Sequence, residues 1–217
     1  MMAVDKGARC LVLNGATLGA TGSGVLALFS GGHPLSSAAL EGLSATAGMA
    51  SLCRVLLEQA GWEDGPGRIV AVTGPGSFTG LRATLALAQG LALGYSASLC
   101  GVTLGQAYRA REGWSEAYCI TRARRDRLFM ERPDGTVWAG PSGAIALPAR
   151  AFVVGNGVSM LDLPQHETLI RADCTSPDPR DIYRAACHAD DRPSLQPLYI
   201  DAPEARLPSQ GLRPSPV

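Results

Sequence analysis

The stretch Thr73-Gly74-Pro75-Gly76-Ser77-Phe78-Thr79-Gly80-Leu81-Arg82 constrains this chain more than any other. It stands between a short β-branched run at 69–72 and a long apolar stretch at 81–93, where Leu81, Thr84, Leu85, Ala88 and Ala92 recur at helical spacing. The pattern predicts a buried strand, a tight turn and a helix. Lacking a Cβ, Gly74, Gly76 and Gly80 permit both the turn and the close approach of another backbone or a ligand. Ser77 or Thr79 can cap the first free amides of the helix. Two uses stay open. The turn packs against a neighbouring segment of its own chain, or it contacts an anion or nucleotide through Gly74, Gly76, Ser77, Thr79 and Gly80, because a helix start attracts negative charge.

The known phosphate motifs do not fit. A Walker-type loop needs Lys followed by Ser or Thr after its last Gly, and Leu81-Arg82 stand there instead. The dinucleotide fingerprint is one residue too long, with the glycines at 74, 76 and 80. G-x-S-x-G, the spacing of a serine nucleophile, does not occur. No H-x-x-x-H, H-E-x-x-H or carboxylate cluster occurs either, so no catalytic and no metal-binding residue is expected. The histidines, His33, His166 and His188, are isolated and read as surface residues.

At 217 residues, with 46% hydrophobic and 18% charged positions, the chain has ample length for a core and the balance of a soluble protein. Lys+Arg and Asp+Glu number 19 each, so nothing global argues for nucleic acid or a membrane surface. Locally, residues 109–132 hold seven basic residues against four acidic ones. Within them Arg122, Arg124 and Arg125 form a candidate tRNA contact, the alternative being a solvated hairpin tip. Cys10, Cys53, Cys100, Cys119, Cys174 and Cys187 show no C-x-x-C spacing and read as reduced thiols. No export signal or membrane span is legible, and a cytoplasmic location is expected.

Strands are expected at 10–13 and 24–29, with a turn at Gly31-Gly32-His33-Pro34. A helix at 42–60 carries the stripe Met49, Leu52, Cys53 and Leu56 and stops at Gly61. Its start is rich in small residues, which allow another helix to come close. Further strands are expected at 98–102, 117–120, 127–131, 136–138 and 151–154, the last running through Gly155-Asn156-Gly157 into a helix. Helices are expected at 104–111 and 178–188. Both halves combine strand pairs with strand–helix units, an α/β pattern of two related mixed sheets.

The string GPGSFTGLR, the apolar helix ending in Gln89-Gly90-Leu91-Ala92-Leu93-Gly94, and the following Gly101-Val102-Thr103 closely resemble the TsaB (YeaZ) family. These are bacterial accessory proteins of threonylcarbamoyladenosine biosynthesis in tRNA, glycoprotease-like and inactive paralogues of the catalytic TsaD. The likeness is dense over 69–107 and thinner elsewhere. It implies an actin-like, RNase-H-like fold with a first lobe at 1–105, a second at 106–200, closed by a Pro-x-Tyr strand at 196–200, and a flexible tail at 201–217. It implies a non-catalytic subunit that holds and activates TsaD, works with the ATPase TsaE, forms a homodimer when TsaD is absent, and meets tRNA through the complex. No cofactor is implied for this chain alone; ATP or ADP enters at the level of the complex.

The helices at 42–60 and 81–93 would build the docking surface, with Met49, Leu52, Cys53, Leu56, Gly76, Phe78, Thr79 and Arg82 as its residues. Two departures from the family pattern stand out. Asn14 occupies the place of the usual Asp after the first strand, and Arg122 that of the acidic residue in Asp-Ala-Arg. TsaD carries a metal-binding His pair on the equivalent helix, and this chain has none there. Two alternatives remain: an ATP-binding, kinase-like or metallopeptidase-like enzyme of the same fold, and a tRNA-contacting module.

Overall fold

The computed structural model describes residues 6–19, 22–42, 45–123, 126–161, 169–172 and 174–200. Ten strands form two five-stranded sheets with one shared plan. In the first, β1 (Arg9–Asn14) lies between β2 (Gly24–Ser30) and β4 (Arg68–Gly74), flanked by β3 (His33–Leu40) and β5 (Ser98–Thr103), in the order β3-β2-β1-β4-β5. β1, β2 and β3 are antiparallel, while β1, β4 and β5 run parallel. The second sheet comprises β6 (Ala117–Arg122), β7 (Arg127–Glu131), β8 (Val137–Pro141), β9 (Ala151–Val154) and β10 (Leu169–Ala172), in the order β8-β7-β6-β9-β10. It repeats the same antiparallel and parallel pairings.

Strand alternation divides the core. On β1, Leu11 and Leu13 point to the face covered by α1 (Ala45–Gln59) and α2 (Phe78–Tyr95), where Met49, Cys53, Leu56, Leu85 and Ala88 meet them. Cys10 and Val12 point to the opposite face. There α3 (Leu104–Arg109) and α4 (Pro179–Ala186) join both sheets, with Leu104, Ala107, Tyr108, Ile182 and Ala186 packed among Val70, Val102, Cys119 and Val154. A smaller cluster around Ile120, Leu128, Met130 and Val153 covers the far side of the second sheet. Each buried Leu or Ile contributes roughly 1.5–3 kcal/mol of transfer free energy.

The expected two mixed sheets flanked by helices are therefore present, with differences in detail. Residues 33–40, of which His33 and Pro34 were expected in a turn, form edge strand β3; Pro34 is tolerated at its start, at the sheet edge and beside a register shift at Leu28/Phe29. β10 was not expected. The helix expected after Gly155 is a single 3-10 turn at Val158–Met160. The expected closing strand at 196–200 is an irregular strap, bonded through Leu198 N to the Thr73 carbonyl at 2.8 Å. α1 starts at Ala45, and α2 is longer than expected at both ends. No helix among the described residues is long and apolar enough to cross a membrane.

Candidate functional site

β1 ends at Asn14, whose side chain is fully buried. Its Oδ1 accepts from Ala16 N at 3.0 Å, and its Nδ2 donates to Thr17 Oγ1 at 3.1 Å and to Ser176 Oγ at 3.2 Å. Thr17 Oγ1 in turn donates to the Ser23 carbonyl at 2.6 Å. The amide in the place of the family's Asp is thus wholly engaged by its own chain.

The same loop closes onto the glycine turn. Ser77 N donates to the Ala16 carbonyl at 2.7 Å. A Cβ on Gly76 would strike the backbone of Ala16, one on Gly80 the Gly15 carbonyl, and one on Gly15 the Gly80 carbonyl at 2.7 Å. Of the two candidate caps, Ser77 is the one used, accepting from Gly80 N at 3.3 Å, while Thr79 is exposed. Gly74, at φ +117°, backs onto Leu81. Of the five residues expected around an anion, Gly76, Ser77 and Gly80 are turned to the 15–16 backbone, Gly74 backs onto Leu81 and Thr79 is exposed.

α1 and α2 pack side by side. Met49, Cys53 and Leu56, expected on a docking surface, face the chain's own core at 1%, 1% and 5% exposure, and Leu52 is half-buried against it. Their spacing is that of the stripe covering β2 and β3, which leaves the outward faces to other residues. Burial also pushes the Cys53 thiol up to about 11. On the outward faces stand Ala47, Gly48, Arg54 and Val55 of α1, and Phe78, Thr79, Arg82, Gly90, Leu93 and Gly94 of α2. A Cβ on Gly48, Gly90 or Gly94 would meet nothing within 4 Å, and Leu93 is 85% exposed. Gly within a helix costs about 1 kcal/mol against Ala, and the chain's own packing gives no reason for it at these three positions.

At the first turn of α2, the guanidinium of Arg82 lies 4.1 Å from the centre of the Phe78 ring and donates through Nε to Tyr199 Oη at 2.9 Å. Spacing could not have revealed Tyr199, which comes from the strap 117 residues away. Arg122 is exposed at the end of β6, its amide held by Asn156 Oδ1 at 2.9 Å. Arg124 and Arg125 lie outside the described residues, as do His166 and the tail. Among the described residues no group of three or more His, Cys, Asp or Glu is placed to hold a metal ion.

Residues 46–136 match the family model described as TsaD: tRNA N6-adenosine threonylcarbamoyltransferase. Uncharacterized proteins of Mycobacterium tuberculosis and Mycobacterium bovis are 32% identical over 64% of this chain. The match spans 65% of their length, just under two thirds. Among solved structures, YeaZ from Pseudomonas aeruginosa superposes with a TM-score of 0.69 at 22% identity, covering 89% of this chain and all of that one. An uncharacterized protein from the same organism, described as similar to peptidase YEAZ, gives 0.71 at 21% with the same coverage. The fold is thus the actin-like one of the YeaZ proteins. The chain thus shares the fold of the YeaZ proteins, and a stretch of it that includes the glycine turn, residues 46–136, is similar to the TsaD family model.

Proposed function

We propose that this chain is a non-catalytic scaffold of the cytoplasmic tRNA threonylcarbamoyladenosine modification machinery, docking the catalytic TsaD protein on the outward face of α1 and α2 and supporting threonylcarbamoyl transfer. The observation that carries this reading is the run of helix glycines with open space before them, Gly48, Gly90 and Gly94, beside the 85% exposed Leu93. Small residues let a partner helix approach closely, and an apolar side chain left in water is stabilised once covered. The engagement of Asn14 and the glycine turn by the chain's own atoms fits a scaffold role. The same face would serve a homodimer when TsaD is absent. The ATPase TsaE, any ATP or ADP and the tRNA enter through the complex. The first lobe is proposed to end near Gly105, after the last strand of the first sheet.

The test is co-purification with the TsaD protein of the same organism, followed by a tRNA modification assay with and without this chain. Co-elution and a modification rate that depends on this chain are expected. Full modification by TsaD and TsaE in its absence would overturn the proposal.

A further inference from the structure

Residues 191–200 form a strap along α2 and β5. Arg192 N donates to the Leu99 carbonyl at 2.7 Å, and Leu195, 3% exposed, fills the space in front of Gly101. Leu198 N reaches the Thr73 carbonyl at 2.8 Å, which places Tyr199 over the first turn of α2. There the rings of Tyr199 and Phe78 lie 5.7 Å apart, tilted by 32°, with Arg82 bonded to the first and stacked on the second. Both rings remain 44–45% exposed. The strap's own attachment needs none of this, since it is secured by backbone bonds and by Leu195.

Arg82 spends its Nε on Tyr199, and among the described residues no carboxylate pairs with its guanidinium. It is also the sole charged residue of α2. On α1, Arg54 and Glu58 neutralise each other at 2.6 Å. The two helices therefore present one unbalanced positive charge, stacked and pre-oriented on an aromatic platform. In a two-fold contact centred on Arg82, a second copy would bring the same cation. A different protein can bring a carboxylate, which the planar guanidinium receives in bidentate fashion. Tyr and Arg in such settings are the residue types that anchor protein interfaces.

We propose that Arg82 is the anchor for a carboxylate of a heterologous protein partner seated on α1 and α2, and that Tyr199 is the positioning residue holding Arg82 over Phe78 for that contact. The inference rests on the reading of this face as a docking surface.

Binding of the same organism's TsaD protein to the full chain, followed by calorimetry at several salt concentrations, tests it. Arg82→Gln should weaken binding about 30-fold or more, as removal of one member of a desolvated charge pair does. It should also flatten the salt dependence, which loss of packing alone would not do. Arg82→Lys should recover part of the affinity, because it keeps the charge and loses the fork. Tyr199→Phe should weaken binding about fivefold, on the scale of one hydrogen bond. All three should keep the parent melting temperature, and their self-association by sedimentation should change less than their partner binding. Parent-like binding by Arg82→Gln and Tyr199→Phe, with binding lost in Leu93→Arg, would overturn the anchor and leave the docking surface standing. Self-association weakened by Arg82→Gln as much as partner binding would overturn the choice of partner in favour of a second copy. Failure of the parent chain to bind the TsaD protein would remove the docking reading and this inference together.

Discussion

The Glu131 carboxylate occupies the space that a Cβ on Gly105 would need. Its Oε2 accepts from Gly105 N at 2.9 Å, and its Oε1 from Thr103 Oγ1 at 2.6 Å and Arg109 at 2.7 Å. Thr103 ends the first sheet, Gly105 opens α3, and Glu131 ends β7 of the second sheet, so one buried side chain ties the two sheets together. A carboxylate at a helix start is also well placed against the helix dipole.

Two substitutions at this junction should therefore be coupled. Glu131→Ala should cost about 3–5 kcal/mol, because it strands the Arg109 guanidinium, whose side chain is only 11% exposed. Gly105→Ala alone should cost about 1–3 kcal/mol through overpacking. In the double variant the methyl enters space the carboxylate has vacated, so the costs should sum to less than additive by about 1 kcal/mol or more. Urea unfolding of the four proteins measures this, and strict additivity would show that Gly105 and Glu131 do not contend for the same space.

The inward and outward sides of α1 and α2 make opposite predictions. Met49→Ala removes a side chain that is 1% exposed and should cost about 2–5 kcal/mol, seen as a lower melting temperature. Leu93→Arg changes one that is 85% exposed and should alter stability by no more than about 0.5 kcal/mol. Sedimentation and pull-down should nevertheless show loss of self-association and of TsaD binding. A Leu93→Arg protein that assembles normally would place the docking surface elsewhere.

How far the sequence could be read followed from where each element gets its stabilisation. Residues 68–95 were legible because strand, turn and helix each carry local signals: a β-branched run, three glycines and a serine cap. α4 was legible through the Asp178 cap and Pro179. β3 was not, since His33, Pro34 and the small residues after it have poor strand propensity and are held by pairing with β2. The shared order of the sheets was hidden because, among the described residues, the first sheet has two helical crossovers where the second has 3-10 turns. At the site, the stripe of Met49, Cys53 and Leu56 stood out in the sequence because it faces the core, and for the same reason it is not the surface. The outward glycines and Tyr199 leave no periodic trace; only the packing shows what they do or do not touch.

The cysteines give a pH dependence whose sign is set by burial. Desolvation holds the Cys10 and Cys119 thiols up at about 12, against an ordinary value of 9.0, with Cys53 at about 11 and Cys100 raised as well. A buried thiol stays protonated in the folded chain at a pH where the unfolded chain has already lost that proton. Above pH 9.0 the folded state thus binds more protons than the unfolded one, and stability falls as pH rises. The loss begins near pH 9.0 and continues toward about 12. Cys10 and Cys119 should each contribute about 1.4 kcal/mol per pH unit within that window. Melting temperatures should be flat from about pH 7 to 8.5 and then drop steeply, and Cys119→Ala should shallow the drop. A disulfide probe at about pH 8 should modify exposed Cys187 promptly and half-buried Cys174 more slowly, reaching Cys10, Cys53, Cys100 and Cys119 only on unfolding. A native chain that gave up all its thiols at one rate, or held its stability to about pH 10.5, would show that these sulfurs are not shielded as the packing implies.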